Sequence, residues 1–230
     1  MTKRTDVFRV VLEVGQSKVF ALALDWPGWA RSGRGEEAAL QALDDYGLRY
    51  ARVLENTALG FRPPSESSIL DVVERVAGTA TTDFGAPDAT LPSDTGPVDA
   101  AELARWQVLL EACWQAFDAA VQAAAGKTLR KGPRGGGRDL DRMVAHVQEV
   151  NLAYLSALGG KLRLAKDTPP EQALPQIRAA LQDTLAAAVR GEIPAQGPRG
   201  GLRWTPRYFV RRLAWHELDH AWEIEDRIEA

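Results

Sequence analysis

The chain has 230 residues, enough for one large domain or two small ones; 45% hydrophobic and 26% charged residues exclude an intrinsically disordered protein. A formal net charge of −3 (28 basic against 31 acidic residues) argues against a nucleic-acid-coating protein, which needs a basic excess. A lone cysteine, Cys113, excludes internal disulfides and multi-cysteine zinc cages, and no apolar stretch is long enough to cross a bilayer.

The first six residues lead into a strand-like segment and not a signal-peptide core, so the expected location is the cytoplasm. Residues 7–14 (VFRVVLEV) and 19–24 read as two strands joined by the turn Gly15-Gln16-Ser17, a hairpin. Asp25-Trp26-Pro27-Gly28 breaks that pattern. Leu40, Leu43, Gly47, Tyr50 and Leu54 then recur at helical spacing over 36–54, with Glu36 and Glu37 in the first turn, where the helix dipole favours them. Residues 70–76 (LDVVERV) read as a third strand beside the hairpin. The expected first domain, 1–80, is therefore a small β-β-α-β module.

Residues 81–97 are rich in Gly, Pro, Thr and Asp and read as a linker. Beyond them Ala and Leu dominate, and four helices are expected over 98–230. The first starts at Asp99, with Glu102 completing a capping box, and carries Leu103, Trp106, Leu110, Cys113, Phe117 and Val121 on one stripe. The second runs from Asp139 to Gly159-Gly160. The third follows Thr168-Pro169-Pro170-Glu171 and ends at Gly191, with Pro175 delaying or kinking its start. The fourth opens at Thr205-Pro206, a cap followed by proline at the first helical position. The fold class expected is α+β, a small sheet domain followed by an up-down-up-down four-helix bundle.

The chain holds three histidines, His146, His216 and His220. His216 and His220 are four apart, so their rings share one helix face. That stripe also holds Phe209, Leu213 and Ile224, and His146 shares a stripe with Met143, Val150 and Ala153. At about 1.5 Å per residue, His146 lies ~10 Å into its helix and His216 ~15 Å into its own. In a parallel helix pair the three rings meet at a similar level. Three neutral imidazoles leave one or more positions open on a divalent ion such as zinc or nickel, the catalytic pattern.

His216-Glu217-Leu218-Asp219-His220 also fits H-E-x-x-H, the zinc protease signature. The extended form of that motif places a glycine and a third histidine downstream, and Ala221-Trp222-Glu223 supplies neither. Glu217 is kept as a candidate base for a metal-bound water, against the plainer role of a solvated helix carboxylate. Glu223 and Glu225 are carboxylates that could reach an ion only from the same helix. Arg134, Arg138, Arg199 and Arg203 lie in two similar loops, GPRGGGR (132–138) and GPRGGLR (197–203), and could draw an anionic substrate to the bundle mouth. Trp204, Tyr208, Trp215 and Trp222 are candidates for a pocket wall, core or dimer contact, and Cys113 for a buried packing residue.

MVAHVQEVNLAYLSALG (143–159) and RYFVRRLAWHELDHAWEIEDRI (207–228) resemble the second and last helices of the DinB-like superfamily. The resemblance covers 98–230. It implies a metal-binding four-helix bundle, commonly dimeric, with metal ligands at His146, His216 and His220. It also implies thiol-dependent transferase or isomerase chemistry; a metal held by three imidazoles is equally compatible with hydrolysis, so the expected activity is a metal-dependent hydrolase or thiol transferase acting on a small anionic or thiol substrate. VFALALDWPGWARSGRGEEAALQAL (19–43) is similar to the HicB-like domain, which implies a protein-partner role for the first half; no histidine lies there, and no DNA-binding module follows. The alternative reading is a non-enzymatic interaction or dimerisation protein whose metal is structural.

Overall fold

The computed structural model describes residues 6–131, 137–166 and 168–229. The protein is α+β, and the chain divides into two compact units, Met1–Ser93 and Asp94–Ala230.

The first unit holds a four-stranded sheet. β1 (Val7–Val14) and β2 (Val19–Ala23) form the expected hairpin, with Val10 opposite Ala23 and Val14 opposite Val19. A strand not foreseen, β3 (Ala30–Gly33), continues the meander antiparallel to β2. Four residues are too few for an alternating pattern to register. A side chain at Gly33 would meet the backbone of Ala38 and Ala39 at 2.4 Å, so glycine there lets the following helix lie directly on the strand.

The helix expected over 36–54 is two helices, α1 (Glu36–Asp45) and α2 (Gly47–Leu54), broken at Tyr46, whose backbone sits at φ −87°, ψ −3°. After this crossover β4 (Ile69–Ala77) pairs parallel to β1, giving the order β3-β2-β1-β4. The module is therefore β-β-β-α-α-β. Trp29 is fully buried, donates from its indole to the Leu43 carbonyl at 2.7 Å and stacks on Tyr50, whose hydroxyl donates to the Pro27 carbonyl at 2.9 Å. The Asp25–Gly28 break thus serves to turn an aromatic anchor into the core.

Of the stretch 81–97, Thr82, Asp83 and Asp88 are bound to the sheet and its β1–β2 turn. A short helix, α3 (Ala80–Phe84), presents Asp83 to the β1–β2 turn, where its carboxylate accepts from the amides of Gln16, Ser17 and Lys18 at 2.7–3.1 Å. The buried Glu13 carboxylate of β1 accepts from the Thr82 hydroxyl and from the Asp88 amide at 2.8 Å.

The second unit carries four long helices: α4 (Ala100–Ala124), α5 (Leu140–Leu158), α6 (Pro170–Val189) and α7 (Pro206–Arg227). Two of the expected caps form: Asp99 accepts from the Glu102 amide at 2.7 Å and Thr205 from the Tyr208 amide at 3.3 Å; Asp139, the expected start of the second helix, also caps, accepting from the Arg142 amide at 2.8 Å. The Glu102 carboxylate does not close a capping box; it takes Arg207 of α7 in a two-pronged ion pair. The stretch Thr168-Pro169-Pro170-Glu171, also expected to cap its helix, does not do so through Thr168. Its hydroxyl donates to the Ala165 carbonyl at 2.7 Å, and α6 starts at Pro170 with the exposed Pro175 inside it.

α4 packs along α7, and α5 along α6 and α7. Phe117, Ala120 and Ala124 of α4, Met143 and Val147 of α5, and Ala221 and Ile224 of α7 form a buried apolar cluster. Each large side chain in it contributes about 1.5–3 kcal/mol. α7 is buried almost all round, Arg211, Arg212 and Glu217 included, so a single apolar stripe does not describe it. Arg211 is neutralised by Asp94 through two hydrogen bonds of 2.9 and 2.5 Å. Among the described residues no helix is long and apolar enough to cross a membrane.

Candidate metal centre

The cap at Thr205 and proline at the first helical position set where α7 begins, and the helical repeat then puts His216 and His220 one above the other. Their ring centroids are 4.5 Å apart. α5 brings the third ring, with centroids 5.3 Å from His216 and 5.0 Å from His220. One nitrogen from each ring lies within 4.8 Å of the other two.

The His146 Nε2 and His216 Nε2 atoms are 3.3 Å apart. For zinc–nitrogen bonds of about 2.0–2.1 Å, two ligands of a tetrahedral ion sit about 3.3 Å from each other. His216 and His220 are buried and His146 is half-buried. Burial, then the charges of His220 and His146, push His216 well below the usual histidine range, and Arg212 and Arg138 add to this. Burial, His220 and Arg138 bring His146 down to about 4, against the pull of Glu223. Both rings are therefore neutral at pH 7, the form that ligates metal.

The cluster fits a cation on its own terms. Two neutral rings facing through Nε2 can share one proton, which uses one lone pair, whereas an ion uses both. The other nitrogen of His216, Nδ1, is buried without a hydrogen-bond partner among the described residues.

No family model, no curated protein and no solved structure matches the chain.

Two residues behind His220 complete its surroundings. The Glu223 carboxylate lies 3.1 Å from His220 Nδ1 through Oε2, and its Oε1 accepts from Arg227 at 2.6 Å. Arg227 also donates to the carbonyls of Arg130 at 2.7 Å and Arg138 at 2.8 Å. Burial raises the Glu223 carboxyl, but the His220 bond and the Arg227 charge outweigh it, so it stays below its ordinary value. The sequence offered Glu223 only as a same-helix carboxylate and gave no sign of Arg227. An acid and a base four apart on a helix are common on exposed faces.

Glu217 is fully buried and turns to α5, where its Oε1 accepts from Asn151 Nδ2 at 2.6 Å. Its Oε2 has no hydrogen-bond partner among the described residues, and burial raises its carboxyl to about 7. It is not a solvated helix carboxylate. Asn151 is invisible to an apolar-pattern reading because it stands in the inward stripe Met143, Val147, Asn151, Leu155, Leu158. That stripe differs from the expected one: Val150 is half-buried, Ala153 is exposed, and His146 stands at the edge. The edge position leaves this ring accessible from outside.

Aromatic groups flank the rings. Tyr154 lies 5.7 Å from His216 and 4.8 Å from Trp204, which in turn lies 4.8 Å from Tyr208; Trp215 lies 6.2 Å from His216. The Tyr154 hydroxyl accepts from Arg212 at 3.1 Å. Trp222 is buried. Of the loop arginines, Arg138 lies near enough to depress both His146 and His216. Arg203 binds the Pro194 carbonyl at 2.8 Å, Arg199 is exposed, and Arg134, with the rest of 132–136, lies outside the described residues. Cys113 is buried, and burial together with the Glu217 charge holds its thiol well above the usual range, so it is no ready nucleophile.

Proposed function

We propose that the helical unit is an up-down-up-down four-helix bundle of the DinB-like kind and that it works as a metal-dependent enzyme, a hydrolase or a thiol-dependent transferase or isomerase. His146, His216 and His220 hold a divalent ion, zinc or nickel. The observation that carries this reading is the approach of three imidazole nitrogens, from two helices, to within 4.8 Å of one another. Imidazole suits both metals. The bound ion supplies Lewis acidity, lowering the pKa of a water or thiol and polarising an acceptor.

The chain's own residues supply the rest. Neutral His146 and His216 offer lone pairs without first losing a proton. Glu223 has both oxygens occupied behind His220, which supports a position on the ion left for water or substrate, the arrangement of catalytic and not structural zinc. This favours the enzyme over a purely structural metal. Arg138 and Arg212 place positive charge near the rings, which suits a small anionic substrate. Tyr154 and Trp204 offer an apolar wall beside it. Glu217, buried and bonded to Asn151 of α5, braces the helix pair.

The test is elemental analysis of the purified protein beside His216→Ala. Near one equivalent of zinc or nickel in the wild type, lost in the variant, supports the reading. Equal metal content in the two removes the site.

A further inference from the structure

We propose that Glu223, clamped by Arg227, is the positioning residue of the histidine cluster: it holds His220 with Nδ1 as the donor and so leaves Nε2 to face the ion. This rests on the metal reading above, but it concerns atoms that the reading does not use.

The carboxylate oxygen 3.1 Å from Nδ1 can only accept, so the hydrogen lies on Nδ1 and the lone pair of a neutral ring lies on Nε2. Glu223 cannot at the same time turn inward as a ligand, because its other oxygen is bound by Arg227. Arg227 is itself fixed. It is buried, and its Nε and Nη2 donate to the carbonyls of Arg130 and Arg138, 97 and 89 residues away in sequence. A plain i,i+4 ion pair on a helix surface has neither the backbone anchors nor the imidazole contact. A side chain at Gly137, where φ is +133°, would stand 2.6 Å from the Arg227 guanidinium, so the chain is shaped to leave that group its place. Buttressing of a metal-bound imidazole by a carboxylate fixes the ring's tautomer and raises its basicity, and its loss typically weakens metal binding 10–100-fold.

Cobalt(II) is the probe, titrated into the full chain against a chromogenic chelator, for the wild type, Glu223→Ala and Glu223→Gln. The expected result is a loss of about tenfold or more in Glu223→Ala. Glu223→Gln should regain part of that loss, because its carbonyl still accepts from Nδ1 although its amide nitrogen cannot accept from Arg227. It should also keep the wild-type cobalt spectrum, because the ligands are unchanged. A loss below tenfold in Glu223→Ala, no recovery in Glu223→Gln, or a changed spectrum in Glu223→Gln overturns the proposal. A second measurement needs neither a folded variant nor metal. Long-range proton–nitrogen correlation spectra of metal-free wild type, at a pH where the ring is neutral, should show His220 as the Nδ1–H tautomer; a dominant Nε2–H form overturns the proposal. Wild type that binds no cobalt counts against the metal reading alone, and the tautomer still decides this one.

Discussion

His146 and His216 stand 70 residues apart in the chain, and their Nε2 atoms stand 3.3 Å apart in the fold. Among the described residues neither ring is hydrogen-bonded to a carboxylate, and both are held below the usual histidine range, chiefly by burial. The pair could offer a cation two lone pairs.

Zinc should therefore stabilise the folded helical unit. A ligand bound only by the native state at 100 times its Kd adds about 2.7 kcal/mol. Thermal unfolding of the full chain with zinc, and with zinc plus chelator, should show an upward shift in Tm that the chelator reverses. His216→Ala should show none. A shift of equal size in the variant would place the effect elsewhere.

The buried pair Asn151–Glu217 ties α5 to α7 and is expected to be sensitive to the loss of one partner only. Asn151→Ala leaves the Glu217 carboxyl buried with neither oxygen paired, and the cost of an orphaned buried polar group is about 1–3 kcal/mol, more if it is charged. Glu217→Gln keeps the shape and one hydrogen bond and should cost less. Urea unfolding of the two variants checks the order, and the reverse order would mean that Glu217 is paired in some other way.

In the first unit the pH-sensitive group is Asp83. Hydrogen bonds from the Ser17 and Gln16 amides lead in holding its carboxyl at about 2. A group whose pKa is depressed by folding contributes stability above its unfolded value, about 3.9, and loses it as pH falls through the folded value. Hydrogen-exchange protection of the Ser17 and Lys18 amides should therefore decline between about pH 4 and 2 in the wild type. Asp83→Asn should start with weaker protection and lack this decline. Identical profiles would refute the role.

Gly137→Ala tests the Arg227 clamp from the other side. A φ of +133° is costly for alanine, and the new Cβ would crowd the guanidinium at 2.6 Å. Backbone strain of this kind costs about 1–3 kcal/mol. The variant should melt lower and bind cobalt more weakly, through displacement of Arg227 and then Glu223. A variant as stable and as tight-binding as the wild type would show that the glycine is incidental.

The legible part of the site and the illegible part follow different rules. Asp99 and Thr205 were readable as caps because a cap is a contact between residues two or three apart. Glu102 was misread for the opposite reason: its backbone obeyed the local rule while its side chain found Arg207, 105 residues away. β3 was too short to carry a pattern, and the parallel pairing of β4 with β1 depends on a crossover of more than fifty residues. Asn151 and Arg227 escaped notice because a buried polar residue breaks the apolar pattern and identifies itself only by its partner.

From the order of residues alone one could know that His216 and His220 share a helix face, because 3.6 residues per turn makes that a local fact. Bringing in His146, burying Glu217 against Asn151 and setting Glu223 behind His220 with Arg227 anchored on distant carbonyls were decided by the packing of α5 and α7. Local geometry is written in spacing; which long-range contacts close depends on how whole helix surfaces fit together, and no short stretch of chain carries that information.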